Sequence, residues 1–203
     1  LAHAYEQTGN RAGAYTATEK ALEIKPTAED YYKLGLLYHM DRNFDRAVAA
    51  LRKANALDAE NSGIYVDLGT ALRAQGQLTE AEQAYRSAIR LEPKRALFYH
   101  SLGGVELEQG DTKAALQAFK MAGQLGSQRI ETYLALSRLY LGAGQPANAL
   151  ASYRRILQDF GVDAAEKSGV ARDLQTLIVR GVHTAEAKAI LVKYWPDEPA
   201  NGS

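Results

Sequence analysis

From Asp67 to Pro93 the chain reads DLGTALRAQGQLTEAEQAYRSAIRLEP, two apolar stripes separated by a polar, glycine-containing turn. With Tyr65 just before it, Leu68, Gly69 and Leu72 form one stripe, and Ala81, Tyr85 and Ala88 form the other. Spacing of three to four predicts a pair of amphipathic helices, each of about 12 to 14 residues. Asn61 or Ser62 is placed to cap the first helix, and Gly76 to end it in the left-handed conformation that non-glycine residues resist. Pro93 stops the second, because proline has no amide hydrogen and restricts the residue before it.

The pattern recurs every 34 residues. Leu34-Gly35, Leu68-Gly69, Leu102-Gly103 and Leu136-Ser137 are in register, with Tyr31, Tyr65, Tyr99 and Tyr133 three positions ahead of each leucine. Ala47, Ala81, Ala115 and Ala149 follow, then Ala54, Ala88, Ala122 and, as the exception, Ile156. Leu1, Tyr5, Gly9, Ala14, Ala21 and Pro26 continue the series one repeat earlier, offset by 33 instead of 34, so Leu1 is expected inside a first helix of a longer parent. Glycine stands at the inter-helix turn at 9, 76, 110 and 144, and Arg42 takes that place in the second unit. Gly35, Gly69 and Gly103, with the alanines, predict helix axes near the short end of the usual spacing of about 8 to 10 Å.

A tyrosine, leucine-glycine, tyrosine, alanine, aromatic, alanine and proline framework over 34 residues resembles the tetratricopeptide repeat family, from residue 1 to about residue 161. The resemblance implies an all-α fold, a right-handed superhelical solenoid of antiparallel helix pairs. It also implies a concave surface, built mainly by the first helix of each pair, that receives a peptide or helix from another protein. The expected organisation is one continuous repeat domain: a truncated unit 1–26, units 27–60, 61–94, 95–128 and 129–161, closing helices 162–195 and a disordered tail 196–203. In the closing part Val170, Leu174, Leu177 and Ile178 form one stripe, and Ala187, Ile190, Leu191 and Tyr194 another after Thr184, a candidate cap. Arg172, Asp173, Arg180, Lys188 and Lys193 are expected to face water, because nothing stacks on the outer side of an end unit.

Within this frame the first-helix positions outside the packing set line the binding face. They include His3 and Glu6; Tyr32, Leu36, His39 and Met40; Val66, Thr70, Arg73 and Ala74; Leu97, His100, Gly104, Leu107 and Glu108; and Leu134, Arg138 and Leu141. The strongest candidates for partner contact are Tyr32, Leu36, His39, Val66, Thr70, Arg73, His100, Leu107 and Arg138. Tyr32, Leu36 and Leu107 would act as anchors, with Arg73 and Arg138 setting register. Some members of the family grip a terminal carboxylate through lysine and asparagine. His3, Leu36, Tyr32, Asp67, Leu97 and Ser101 stand at the corresponding places, so those donors are missing and that subtype is rejected.

Chemistry is otherwise sparse. His3, His39 and His100 map to the face, but residues two repeats apart lie roughly 20 Å from one another at usual helix spacings, whereas zinc holds its ligands at about 2 Å. Gly103 and Gly104 fall inside a helix and serve close packing, not phosphate binding. Glu106 takes the place of Tyr5, Tyr38, Leu72 and Tyr140, where a large side chain should pack. It therefore needs a basic or hydroxyl partner or an escape to solvent. No catalytic residue, metal or cofactor is expected.

Composition narrows the classes further. With 24 basic and 24 acidic residues in 203, the chain has no net field to attract nucleic acid, and no apolar run approaches the roughly 18 residues of a membrane span. The absence of cysteine removes thiolate and disulfide chemistry and leaves cytoplasm and periplasm equally open. The reading is an interaction scaffold that binds a protein or peptide partner in a bacterial assembly. The alternative is the recognition arm of a larger enzyme, such as a glycosyltransferase. What precedes Leu1 in the parent would separate the two.

Overall fold

The computed structural model describes residues 11–196, and every regular element among them is helical. His3, Glu6, the first helix of the truncated unit, Gly9 and the tail beyond Pro196 lie outside the described residues. Twelve helices follow in order among those described: α1 (Arg11–Ile24), α2 (Ala28–Met40), α3 (Phe44–Leu57), α4 (Ser62–Ala74), α5 (Leu78–Leu91), α6 (Ala96–Glu108), α7 (Thr112–Gln124), α8 (Ile130–Gly142), α9 (Pro146–Phe160), α10 (Val162–Lys167), α11 (Val170–Val179) and α12 (Thr184–Tyr194). They group into two compact units, 1–111 and 112–203, each with its own core.

In the first unit each helix packs on the next, and the first helices of successive pairs also touch, α2 with α4 and α4 with α6. Side-chain oxygens of Thr27, Asn43 and Asn61 cap α2, α3 and α4 by accepting backbone amides of the first turn. The ends of the first helices share one device. In α4 the Gln77 amide donates to the Leu72 carbonyl at 2.9 Å around Gly76, which has φ +78°. In α6 the Asp111 amide donates to the Glu106 carbonyl at 2.9 Å around Gly110. In α2 the Asn43 amide donates to the Tyr38 carbonyl at 2.8 Å around Arg42, at φ +59°. The turn of the second repeat is thus the same turn, held in a left-handed conformation by Arg42, a residue that carries a side-chain cost there.

The expected close packing is visible at two glycines. A Cβ built on Gly35 would lie 2.6 Å from Leu51 Cγ, and one on Gly69 would lie 3.0 Å from the Tyr85 ring. Leu51 and Tyr85 are themselves buried, so neither has room to retreat. Gly104 differs from expectation: the atoms nearest an added Cβ belong to the Arg73 guanidinium, at 3.3 Å, and no helix core meets it.

In the second unit Phe119, Tyr133, Leu136, Leu150, Tyr153 and Ile156 form one buried cluster with residues of the closing helices. Val170, Leu174 and Leu177 enter it from α11, and Ala187, Ile190 and Leu191 from α12. Three closing helices are present, α10 preceding the two stripes read from sequence. Thr184 is not the cap of the last one. His183 precedes it at φ +45° with no capping side-chain bond, and Thr184 is already helical. Asp173 also departs from expectation: instead of facing water it is half-buried and accepts a hydrogen bond from the Tyr153 hydroxyl at 3.0 Å.

Candidate functional site: the first-helix face

The contacts that join α2, α4 and α6 show which side chains share a face. The Tyr32 hydroxyl donates to Asp67 Oδ2 at 2.5 Å, from α2 to α4. One pair along, Arg73 donates through Nε to Glu108 Oε1 at 2.9 Å, from α4 to α6, and its second nitrogen reaches the same oxygen. Both bonds span 35 residues, one repeat plus one, so they are rungs of a single ladder across neighbouring first helices.

The rungs alter the roles assigned from sequence. Tyr32 presents a half-buried ring, but its hydroxyl is already engaged; burial and then the Asp67 bond push its pKa upward. Asp67 is raised as well, with burial outweighing the Tyr32 bond and the charge of His39 nearby. Arg73 is not a free cation that waits for a peptide. Its guanidinium lies over Gly104 and is paired with Glu108, which holds it charged. Thr70 donates to the Val66 carbonyl at 2.9 Å, and its oxygen is 3.0 Å from the Tyr85 hydroxyl, so this threonine ties the face to the core behind it. The His39 ring sits 5.4 Å from that of Phe44, with a buried Nδ1 that makes no hydrogen bond.

What is left partly open to solvent is mainly apolar. Leu36, Val66 and His100 are half-exposed, while Met40, Leu97 and Leu107, all on first helices, are exposed. Eight of the nine expected contact residues lie in the first unit and Arg138 in the second. Sequence reading did not assign Asp67 to Tyr32, although the spacing of 35 was there to be seen, and the same spacing pairs Arg73 with Glu108.

Glu106 finds the basic partner that its position demanded. It is 3% exposed, and one carboxylate oxygen accepts from Arg86 at 2.8 Å while the other is buried without a partner. Burial raises its pKa, with Arg86 opposing and Glu82 adding to the rise. Arg86 is shared with Glu82, one turn earlier on α5, at 2.8 Å. A carboxylate held this way braces α5 against α6 and has no access to a substrate.

Comparison with known families and structures bears on the repeats and the fold. One family model, described as tetratricopeptide repeat, matches residues 66–129, and a second of the same description matches residues 1–27 and 29–61. The chain belongs to the tetratricopeptide repeat family. Its repeats share the fold of a crystal structure of MamA, at TM-score 0.74 and 26% identity over 78% of this chain and 94% of that one. PilF of Pseudomonas aeruginosa aligns at TM-score 0.71 and 25% identity over 98% of this chain and 91% of that one. The Yersinia enterocolitica type III secretion chaperone SycD, in complex with a peptide of the translocator YopD, shares the fold at TM-score 0.54 and 19% identity, over 57% of this chain and 93% of that one. Among curated proteins, nothing matches the chain. The fold class is that of the α-α superhelix, and tetratricopeptide repeat proteins are in general non-catalytic interaction scaffolds. No described helix is long and apolar enough to cross a membrane.

Proposed function

We propose that this tetratricopeptide repeat protein is an adaptor whose first-helix face takes a peptide or helix of a partner protein and holds it in a bacterial assembly. The observation that carries this reading is the pair of rungs Tyr32–Asp67 and Arg73–Glu108. They fix three first helices side by side while leaving Leu36, Met40, Leu97 and Leu107 short of full burial. A polar frame formed on folding around apolar side chains suits an amphipathic ligand, because first helices already held together lose little entropy on binding. SycD, a protein of the same fold, carries a peptide of the translocator YopD in its crystal structure, and a peptide is the kind of ligand proposed for this chain.

The test is affinity capture from bacterial extract with the wild-type chain and with Leu36→Ala/Leu107→Ala, which leaves both rungs and the whole second unit unchanged. Partners should fall at least tenfold with the variant while its helical circular dichroism is retained. Partners recovered equally by both proteins would move binding off this face.

A further inference from the structure

A second candidate site lies within the second unit. The second unit holds a cavity of about 420 Å³ between α8 and α11, within the usual range of roughly 300 to 1,000 Å³ for ligand pockets. Leu141, Leu177 and Val182 supply apolar walls, and Arg138 and Arg180 belong to its lining from opposite sides of the sequence. Both arginines are exposed, and neither has a carboxylate within ion-pair distance among the described residues. Arg129 and Arg155 of the same unit do have such partners, Glu131 and Asp159. The one carboxylate in the lining, Asp173, is half-buried and accepts a hydrogen bond from the Tyr153 hydroxyl.

Two guanidiniums without an ion-pair contact beside an apolar hollow select an anion attached to a hydrophobic body. Guanidinium forks match carboxylate geometry, and the hollow removes an aliphatic or aromatic side chain from water. A nucleic acid would require a basic stripe that a chain of zero net charge does not offer. We propose that this cavity binds a partner peptide in which a glutamate or aspartate side chain stands beside a leucine or phenylalanine. Arg138 and Arg180 take the carboxylate, and Leu141, Leu177 and Val182 receive the apolar neighbour. Arg138 thus serves this cavity of the second unit.

The probe is an end-blocked, fluorescein-labelled peptide of the sequence Gly-Glu-Leu-Glu-Phe-Gly, titrated into the full chain by fluorescence anisotropy. Expected is saturable binding that falls at least tenfold when both glutamates are glutamine, and by the same factor in Arg138→Glu/Arg180→Glu. Both substitutions sit on exposed side chains and should leave the melting curve unchanged. The Leu36→Ala/Leu107→Ala chain should bind this probe like the wild type, which separates the two sites. Absence of binding, equal affinity for the glutamine peptide, equal affinity of the double arginine variant, or loss only in the leucine variant would each overturn the proposal.

Discussion

At the scale of single residues, two glycines that look alike in sequence carry different constraints. Gly35 faces Leu51 with no room for a methyl group, whereas Gly104 faces the end of a flexible, exposed arginine. Replacing a mid-helix glycine by alanine gains about 1 kcal/mol of helix propensity. At Gly35 that gain meets an overpacking cost of about 1 to 3 kcal/mol, because buried Leu51 must move. We expect Gly35→Ala to destabilise the chain and Gly104→Ala to leave it unchanged or stabilise it by up to about 1 kcal/mol. Urea midpoints decide this; equal shifts in the two variants would show that Leu51 does not confine position 35. The periodicity marked all such positions as small without telling which neighbour each one meets.

At the scale of helix pairs, small residues set how closely two helices approach. Ala81 and Ala115 are fully buried at equivalent places in the repeat, one in each unit. Leucine at either position should overpack its surroundings and cost about 1 to 3 kcal/mol. The check is the denaturant midpoint of each single variant, and two unchanged midpoints would contradict the packing. The pairs were legible in sequence because apolar period, cap and turn residue agree, and even Arg42 keeps the turn that its neighbours make with glycine. Cap details were less legible: His183 in a left-handed conformation displaced Thr184 from the cap it was expected to fill. Which of two adjacent residues ends a turn depends on how the preceding loop meets the core.

At the scale of the whole molecule, acidic and basic residues balance, so the response to pH comes from particular buried groups and not from net repulsion. Asp67 and Glu106 both titrate above the ordinary carboxylate range because burial penalises their charged forms. The folded chain then keeps protons that the unfolded chain has released. Their contribution is greatest below the ordinary carboxylate value and is lost as pH rises through the raised one. Glu29 shifts the other way through its bond to Lys33, but it is exposed. We expect the urea midpoint to increase as pH falls from about 7 to about 5, and Glu106→Leu to flatten that slope. The same variant should gain about 1 to 3 kcal/mol at neutral pH, since it removes a buried oxygen without a partner and leaves Arg86 paired with Glu82. A Glu106→Leu chain less stable than the wild type at neutral pH would refute this.

The sequence by itself determined the helices, their pairing, the turn between them and the family, because each of these follows from local spacing repeated at one period. It also named the first-helix positions that the period leaves outside the packing set. Tertiary structure decided what those face residues are free to do. Tyr32 was read as an anchor for a partner and Arg73 as setting its register, yet each is engaged by a carboxylate from the next first helix, Asp67 and Glu108. Arg138 was grouped with them by register, and it also lines a cavity together with Leu177 and Arg180 of the closing helices, which no repeat predicts. The physical reason is range. Helix and turn preferences are set within a few residues along the chain, whereas the partner of a charged side chain is set by whatever the fold brings within about 3 Å of it.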